Sequence, residues 1–451
     1  MRLKKYPLPK QGSLTFRKTL SMPALLQTVR QTFNRLPDHR SRKVVYPLSD
    51  ALMSAVAMFS LKDETLFAFD ERRQDAKQNH NLTQLYGIKQ APCDTQIRSI
   101  LDKVDPRSLR PAFRSIHQEL QKQGALDPYR FMGKYLVSID GTGLYSSSQI
   151  SCKECCTKQH RSGEVSYYHQ LLAAVIVHPD QSTVLPLFPE AITRRDGATK
   201  NDCEHNASAR LLPDIRQDFP RLDMTVLQDA LACNGPHIKR LKTLGFSFII
   251  TSKPAVNSLL LRTVLNGLTD DSTQEQETTD DKGVVRGYRY RNDTPLNNDH
   301  RDLLVNFVDY WEIHPNGKNF TYACVTDLTL TADTVAEVVR AGRARWKVEN
   351  ETFNTLKNQG YHLEHNYGHG KKHLSTVFAT LMMLTFLIDQ VQETCCRYFQ
   401  EARNSYRARI RLWEQIQSYF NVHLIASWEA LYAAIIWKTD PSTEPDWQDT
   451  G

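Results

Sequence analysis

The chain contains no GxxxxGK[ST] run, no GxGxxG and no GxSxG, so a phosphate-cradling nucleotide loop and a serine nucleophile elbow have no support. A strong charge bias is missing too. Against 50 Asp and Glu stand 57 Lys and Arg, a net +7, which does not by itself identify a nucleic-acid binder. The basic start Met1-Arg2-Leu3-Lys4-Lys5 has no apolar stretch behind it, so a secretory signal is not expected. The most apolar run, 374–388, reads as too short to span a bilayer and as a buried core helix, and no membrane partner is expected. The nine cysteines have no regular spacing along the chain; without a leader they read as reduced thiols, and the expected location is the cytoplasm. No internal repeat is visible.

The 451 residues, 40% hydrophobic and 24% charged, suffice for a sizeable core and two or three domains. Residues 1–130 read as a helical N-terminal region. Ser49 is placed to cap a helix whose Leu52, Ala55, Val56 and Phe59 form one stripe, and Ile97, Ile100, Leu101 and Val104 repeat that spacing. With basic residues gathered in the first 43 positions, these helices read equally as a DNA-docking surface or a structural cap. Residues 131–268 turn to β-branched runs at 135–139, 171–177, 184–187, 224–227 and 246–250, with helices at 203–215 and 236–244. That order predicts a mixed sheet covered by helices. Residues 269–330 read as a polar linker, 269–282, followed by a β-rich insertion. Helix returns in 331–395, and 396–451 form a helical C-terminal region.

Three acids have distinctive surroundings. Asp140 closes the run 135–139 and is followed by Gly141-Thr142-Gly143. Asp229 closes the run 224–228, and Glu349 lies in the helical segment Arg345-Trp346-Lys347-Val348-Glu349. Carboxylates on two strands and one helix are hard oxygen donors of the kind that hold Mg²⁺, and two such ions ~4 Å apart activate and stabilise the oxygens of phosphodiester cleavage. Arg345, Glu349, Phe353 and Lys357 recur at i+4, which predicts one helical face carrying the acid between two cations. The bland alternative is a salt-bridged surface helix. Glu351 competes as third ligand but lies ~200° around the helix from Glu349 and lacks an Arg at i−4.

The acids, with Arg345-Trp-x-Val-Glu349 and a following Lys, resemble the DDE transposases of insertion sequences, in particular the IS-four-like group. The resemblance covers roughly 130–390 and implies an α/β fold: an RNase H-like mixed-sheet core with a β-rich insertion between the second Asp and the Glu. The spacings, 229 − 140 = 89 and 349 − 229 = 120, leave room for that insertion. It implies that Asp140, Asp229 and Glu349 hold two Mg²⁺ or Mn²⁺ ions. It also implies cleavage at terminal inverted repeats of double-stranded DNA, strand transfer into target DNA, and a homodimer that synapses the ends in a prokaryotic nucleoid. A nuclease-only relative and an inactive, DNA-binding regulatory copy are the alternatives. The group's motif is Tyr, two residues, Arg, three, Glu, six, Lys. Arg345 and Glu349 match it; Gly342 stands at the Tyr position and Leu356 at the Lys position, with Lys357 one step late. In the family the Tyr and Lys contact transposon-end phosphates. Arg345 and Lys357, with the basic turn at Arg194 and Arg195, are therefore the expected DNA contacts.

Cys152, Cys155 and Cys156 have CxxC spacing, His160 and His169 follow, and Cys233 and His237 come after the second Asp. Structural zinc bound among Cys152, Cys155, Cys156 and Cys233, free loop thiols and redox chemistry all remain open. His365, His369 and His373 are interrupted by Gly368 and Gly370, which argues against a metal-binding helix face and for a surface loop within reach of phosphate. Trp346 reads as core packing before base stacking.

Overall fold

The computed structural model describes residues 6–7, 18–40, 44–194, 203–253, 258–445 and 447–448. Much of the N-terminal basic cluster and Arg195 lie outside them.

Runs of apolar residues too long to alternate make strands that are buried on both faces. The run at 135–139 does this within β1 (Lys134–Ser147), which continues well past Asp140. The strands that follow are β2 (Cys156–Gln159), β3 (Val165–Val177), β4 (Met224–Gln228), β5 (Ser247–Thr251), β6 (Gln274–Thr279), β7 (Val285–Pro295), β8 (Leu304–Ile313) and β9 (Asn319–Thr326). With the short strands Arg130–Phe131, Leu185–Pro186 and Glu190–Ile192 they build one twelve-stranded sheet in the order β6-β7-β8-β9-β5-β4-β1-β3-β2. β1 pairs antiparallel with β3 and parallel with β4, and β4 pairs parallel with β5.

Two expectations change here. The β-rich block joins the sheet itself, because β9 pairs antiparallel with β5 from Cys324↔Thr251 to Thr326↔Ile249. The stretch expected to be a polar linker contains β6, which is bonded to β7 and mostly exposed. Its Glu, Gln and Thr side chains suit a sheet edge, where an apolar strand would invite pairing with other chains.

Helices α1 (Met22–Asn34), α2 (Leu48–Ser60), α3 (Leu66–Gln74), α4 (Ala76–Tyr86), α5 (Asp94–Leu101) and α6 (Arg110–Lys122) precede the sheet. The predicted stripes are buried, although α2 begins one residue before Ser49, with Pro47 at its cap. Within the sheet region lie α7 (Glu204–Asp218), α8 (Gly235–Thr243) and α9 (Ser258–Asn266). After β9 come α10 (Val335–Arg343), α11 (Asn354–Asn358), α12 (Leu374–Cys395), α13 (Arg397–Asn404), α14 (Arg409–Val422) and α15 (Trp428–Trp437).

Helix α12 has 22 residues, longer than the expected run and by length and composition enough to cross a membrane, yet 94% of its most apolar window is buried inside this fold. It packs against α1, α2, α5, α6, α13 and β3. Its Asp389 accepts from Lys62 Nζ at 2.8 Å and from the Tyr361 hydroxyl. The Lys62 ammonium also lies 3.9 Å from the Tyr361 ring centre and 4.1 Å from that of Trp413. Burial pushes the Lys62 pKa down, against the pull of Asp389. The N-terminus of α12 is capped from a distance. The Asp102 carboxylate accepts the backbone N–H groups of Lys371, Lys372, His373 and Leu374 at 2.9–3.2 Å. Burial alone would raise the Asp102 pKa, but these donors outweigh it and hold it below the usual value.

Removing one member of a buried pair strands the other charge, at a cost of about 3–5 kcal/mol. Asp389→Leu is expected to lose that much stability in urea unfolding, and Lys62→Met with Asp389→Leu to recover most of it. A double variant as unstable as the single one would show that the pair contributes packing rather than charge compensation.

Candidate active site

Register places the first two acids. Ser138 on β1 stands opposite Leu227 on β4, the last parallel pair between these strands. Side chains alternate along a strand, so Asp140 and Asp229, each two residues further on, point to the same face. Neighbouring strands lie ~4.8 Å apart, which sets the scale of their separation. Asp229 follows the carboxyl end of β4, and Asp140 lies just past the end of the parallel β1–β4 pairing, the end at which open α/β sheets present their crevices. Asp229 also caps the short turn Ala230–Ala232, its Oδ1 accepting from Leu231 N at 3.0 Å.

The third acid is brought in by a bond that the sequence did not announce. The buried Ser138 hydroxyl, on the face of β1 that also carries Asp140, donates to the Arg345 carbonyl oxygen at 2.8 Å. Arg345 Nη1 in turn lies 3.0 Å from Asp140 Oδ2. Past α10 the backbone forms a 3₁₀ turn at Ala344–Trp346, a π turn at Val348–Phe353 and then α11. Spacing by four therefore does not mark one face here: Glu349 is exposed and Phe353 buried. π turns are rare and concentrate at functional sites.

The π turn also changes which side chains share a face. In a uniform α-helix, seven steps complete ~700°, close to two whole turns. A π turn takes up one extra residue, so eight steps that include it come to about the same rotation. Leu356 is fully buried, whereas Lys357 reaches the surface and pairs with Glu364 at 2.7 Å. The side chain at Gly342 is excluded by packing. A Cβ there would overlap the Tyr322 hydroxyl and lie 2.9 Å from Tyr322 Cζ and 3.0 Å from Ile249 Cγ2. Trp346, expected in the core, is 43% exposed and stands edge-on to Phe320. Arg194 is exposed just beyond the strand Glu190–Ile192.

A fourth carboxylate joins the set. Glu204, at the start of α7, lies against Gly141, where a Cβ would overlap its carboxylate. Burial raises its pKa, and the charges of Asp140 and Asp229 raise it further. Asp140 is also raised: burial is the largest cause, Asp229 and Glu349 add to it, and Arg345 and the Gly141 N–H oppose it. Even with a guanidinium in contact, burial keeps the charged form of Asp140 disfavoured. A cavity of about 420 Å³ opens beside it, lined by Glu204, His205, Gln228, Asp229 and His237 among others. His237 Nε2 bonds Gln228 Oε1 at 2.6 Å, and burial lowers the ring's pKa to about 4, so it is neutral near pH 7.

The cysteine expectation is redrawn. Cys156 Sγ turns to the Ile192 carbonyl oxygen at 3.6 Å, and Cys233 ends the turn after Asp229. Neither belongs to the donor group formed by Cys152, Cys155, His169 and His369, whose ligand atoms all lie within 4.8 Å of one another. No other His, Cys, Asp or Glu group among the described residues meets so closely, the acids included.

No family model and no curated protein matches the chain. Seven chains of solved structures match. One is a cryo-EM structure of a piggyBac transposase synaptic complex with hairpin DNA, 9% identical, covering 93% of this chain and 80% of that one with a TM-score of 0.41. A likeness of that size carries neither residues nor function across.

Overfilling a packed site costs about 1–3 kcal/mol. Gly342→Ala is expected to lose stability in that range by denaturant titration, and less in a Tyr322→Phe background, where the opposing hydroxyl is gone. Equal losses in both backgrounds would refute the contact.

Proposed function

We propose that the chain is a DDE-type DNA transposase that cleaves at the ends of its element and joins them to target DNA. The observation that carries this reading is the matched placement of Asp140 and Asp229 two residues beyond the last β1–β4 pair, with the Arg345–Glu349 segment tied across them by Ser138. The mixed sheet, in which the strand of Asp140 has one antiparallel and one parallel neighbour, supports the RNase H-like reading.

The donor set fits Mg²⁺ or Mn²⁺. Its atoms are carboxylate oxygens, and the raised Asp140 and Glu204 signal a cluster that gains from added cations. Asp140, Asp229 and Glu349 would hold two ions, with Glu204 beside them. When bound, such ions supply an activated oxygen nucleophile and stabilise the leaving oxygen. The protein's own residues do the remaining work. Arg345 keeps Asp140 ionised and aimed into the site before DNA arrives, and a non-bridging phosphate oxygen is its natural alternative partner. Ser138 fixes the backbone from which Arg345 and Glu349 project. Lys357, paired with Glu364, can exchange that exposed partner for a backbone phosphate at small cost. In this reading water cuts the strand, the freed 3′-OH attacks the target, and two copies of the chain synapse the ends. Binding to the ends should weaken steeply with salt.

The test uses a supercoiled plasmid carrying the element's terminal repeats. Asp140→Asn and Glu349→Gln are each expected to slow Mg²⁺-dependent cleavage about 10³-fold, the equivalent of several kcal/mol of lost charge stabilisation, with end binding retained. Glu204→Gln is expected to slow it less. Repeat binding without any cleavage by the wild type would point to a regulatory copy, and cleavage without joining to a nuclease.

Asp140 must be ionised to act. Burial raises its pKa and Arg345 opposes that rise, so metal binding and cleavage are expected to fall on acidification. Because Arg345 opposes that rise, Arg345→Gln is expected to move the acid limb of the pH–rate profile upward. An unmoved limb would detach Arg345 from Asp140.

A further inference from the structure

The loop that leads from the acid-bearing π turn into α12 contains a residue with no role in the cleavage site. His369 is 5% exposed, far from the surface-loop position its sequence suggested. Its Nδ1 lies 3.3 Å from Cys155 Sγ. Cys152 Sγ is 3.5 Å from Cys155 Sγ, and His169 Nε2 lies 3.2 Å from the first sulfur and 3.4 Å from the second. Cys155 and His169 are each 2% exposed. Four soft or borderline donors thus meet in the interior, brought there by the segment after β1, by β3 and by the loop before α12.

We propose that Cys152, Cys155, His169 and His369 bind one Zn²⁺ ion as a closed, structural S₂N₂ site. With Zn–S ~2.3 Å and Zn–N ~2.0–2.1 Å, a tetrahedron has edges of roughly 3.3–3.8 Å. The four observed contacts, at 3.2–3.5 Å, need only small adjustments to meet it. Two thiolates and two imidazoles suit zinc and disfavour Mg²⁺ and Ca²⁺, which take oxygen. The CxxC turn is formed as a binding turn, with Cys155 N donating to Cys152 O at 3.3 Å and Cys152 N donating to Cys155 Sγ at 3.2 Å. The backbone around His369 is also specialised. Gly368 and Gly370 have φ of +126° and +67°, values that side-chain-bearing residues rarely adopt. A Cβ on Gly368 would lie 2.8 Å from Arg98 Nη1, and one on Gly370 would overlap the Asp102 carboxylate. His369 Nε2 is buried without a hydrogen-bond partner, and the ring stands edge-on to Tyr145.

The ion would fasten the loop beyond Glu349 to the hairpin that begins with Asp140, distinct from the Mg²⁺ expected at the acids. All four positions are filled by protein, so no water or substrate takes part.

The test is metal analysis of the full-length protein purified without added metal and washed with EDTA at moderate concentration. About one zinc per chain is expected, unchanged in Asp140→Asn and in Cys156→Ser, whose sulfur faces elsewhere. Cys155→Ser and His369→Ala are expected to lose it. If either fails to fold, His369→Cys keeps the question open to measurement. With Co²⁺ in place of zinc it should retain tetrahedral visible bands, and its thiolate charge-transfer band should grow by about half, as two sulfurs become three. Because metal content is read without DNA, a failed cleavage assay leaves this result standing. A metal-free wild type with Cys152 and Cys155 both open to alkylation, or joined as a disulfide, would overturn the site.

Discussion

Helix α12 is buried along nearly all its length, and water is tolerable on almost none of its apolar run. The N-terminal helices, the sheet and the C-terminal helices are the surfaces that cover it, so three stretches of sequence fold as one body around a single buried element. Its one buried carboxylate, Asp389, requires a cation at the same depth. Lys62 supplies it from the end of α2, and Tyr361 completes the hydrogen bonding. An unpaired charge at that depth would cost several kcal/mol, so the pair fixes which helix end meets which turn. The segment from Tyr361 to Leu374 is then held at short intervals, by Asp389, by the Asp63 carbonyl oxygen through Tyr367 and by Asp102.

The acidic site depends on this frame at one remove. The segment held against α12 begins where the π turn and α11 end, and the stretch that carries the π turn is tied to β1 at its own start, where Ser138 bonds Arg345. Strand register decides where Asp140 and Asp229 stand, and a single hydroxyl decides where Arg345 and Glu349 stand relative to them. Burial raises Asp140 and Glu204 most, neighbouring carboxylates add to it, and for Asp140 Arg345 offsets it only in part. That penalty on buried charge is the physical core of the functional reading, because it favours any cation that fits.

Much of this was legible from residues alone, and the failures have physical causes. The runs ending at Asp140 and Asp229 were readable because strands buried on both faces need uninterrupted apolar side chains. The β-rich block was readable as strands but not as part of the same sheet, since β5–β9 pairing joins residues some 75 positions apart, as in Val325↔Ile250 (325 − 250 = 75). Polar β6 looked like a linker because edge strands are polar for their own reason. The π turn was not legible, because a fixed helical period assumes that side chains four apart share a face, and Glu349 and Phe353 do not. Glu204 gave no signal: one acid after a cysteine is unremarkable until Gly141 is seen to make room for it. His369 was visible only as part of a histidine series, while its partners lie 200 or more positions back.

The contact between Gly342 and Tyr322 joins the β-rich block to the helix that leads to Glu349. Tyr322 belongs to β9, and its ring fills the space that a side chain at 342 would need. The two positions therefore constrain each other. A smaller residue at 322 would leave a hole against Gly342, and any side chain at 342 would meet the Tyr322 ring. The β-rich block and the helix that leads to Glu349 can vary at this contact only in step.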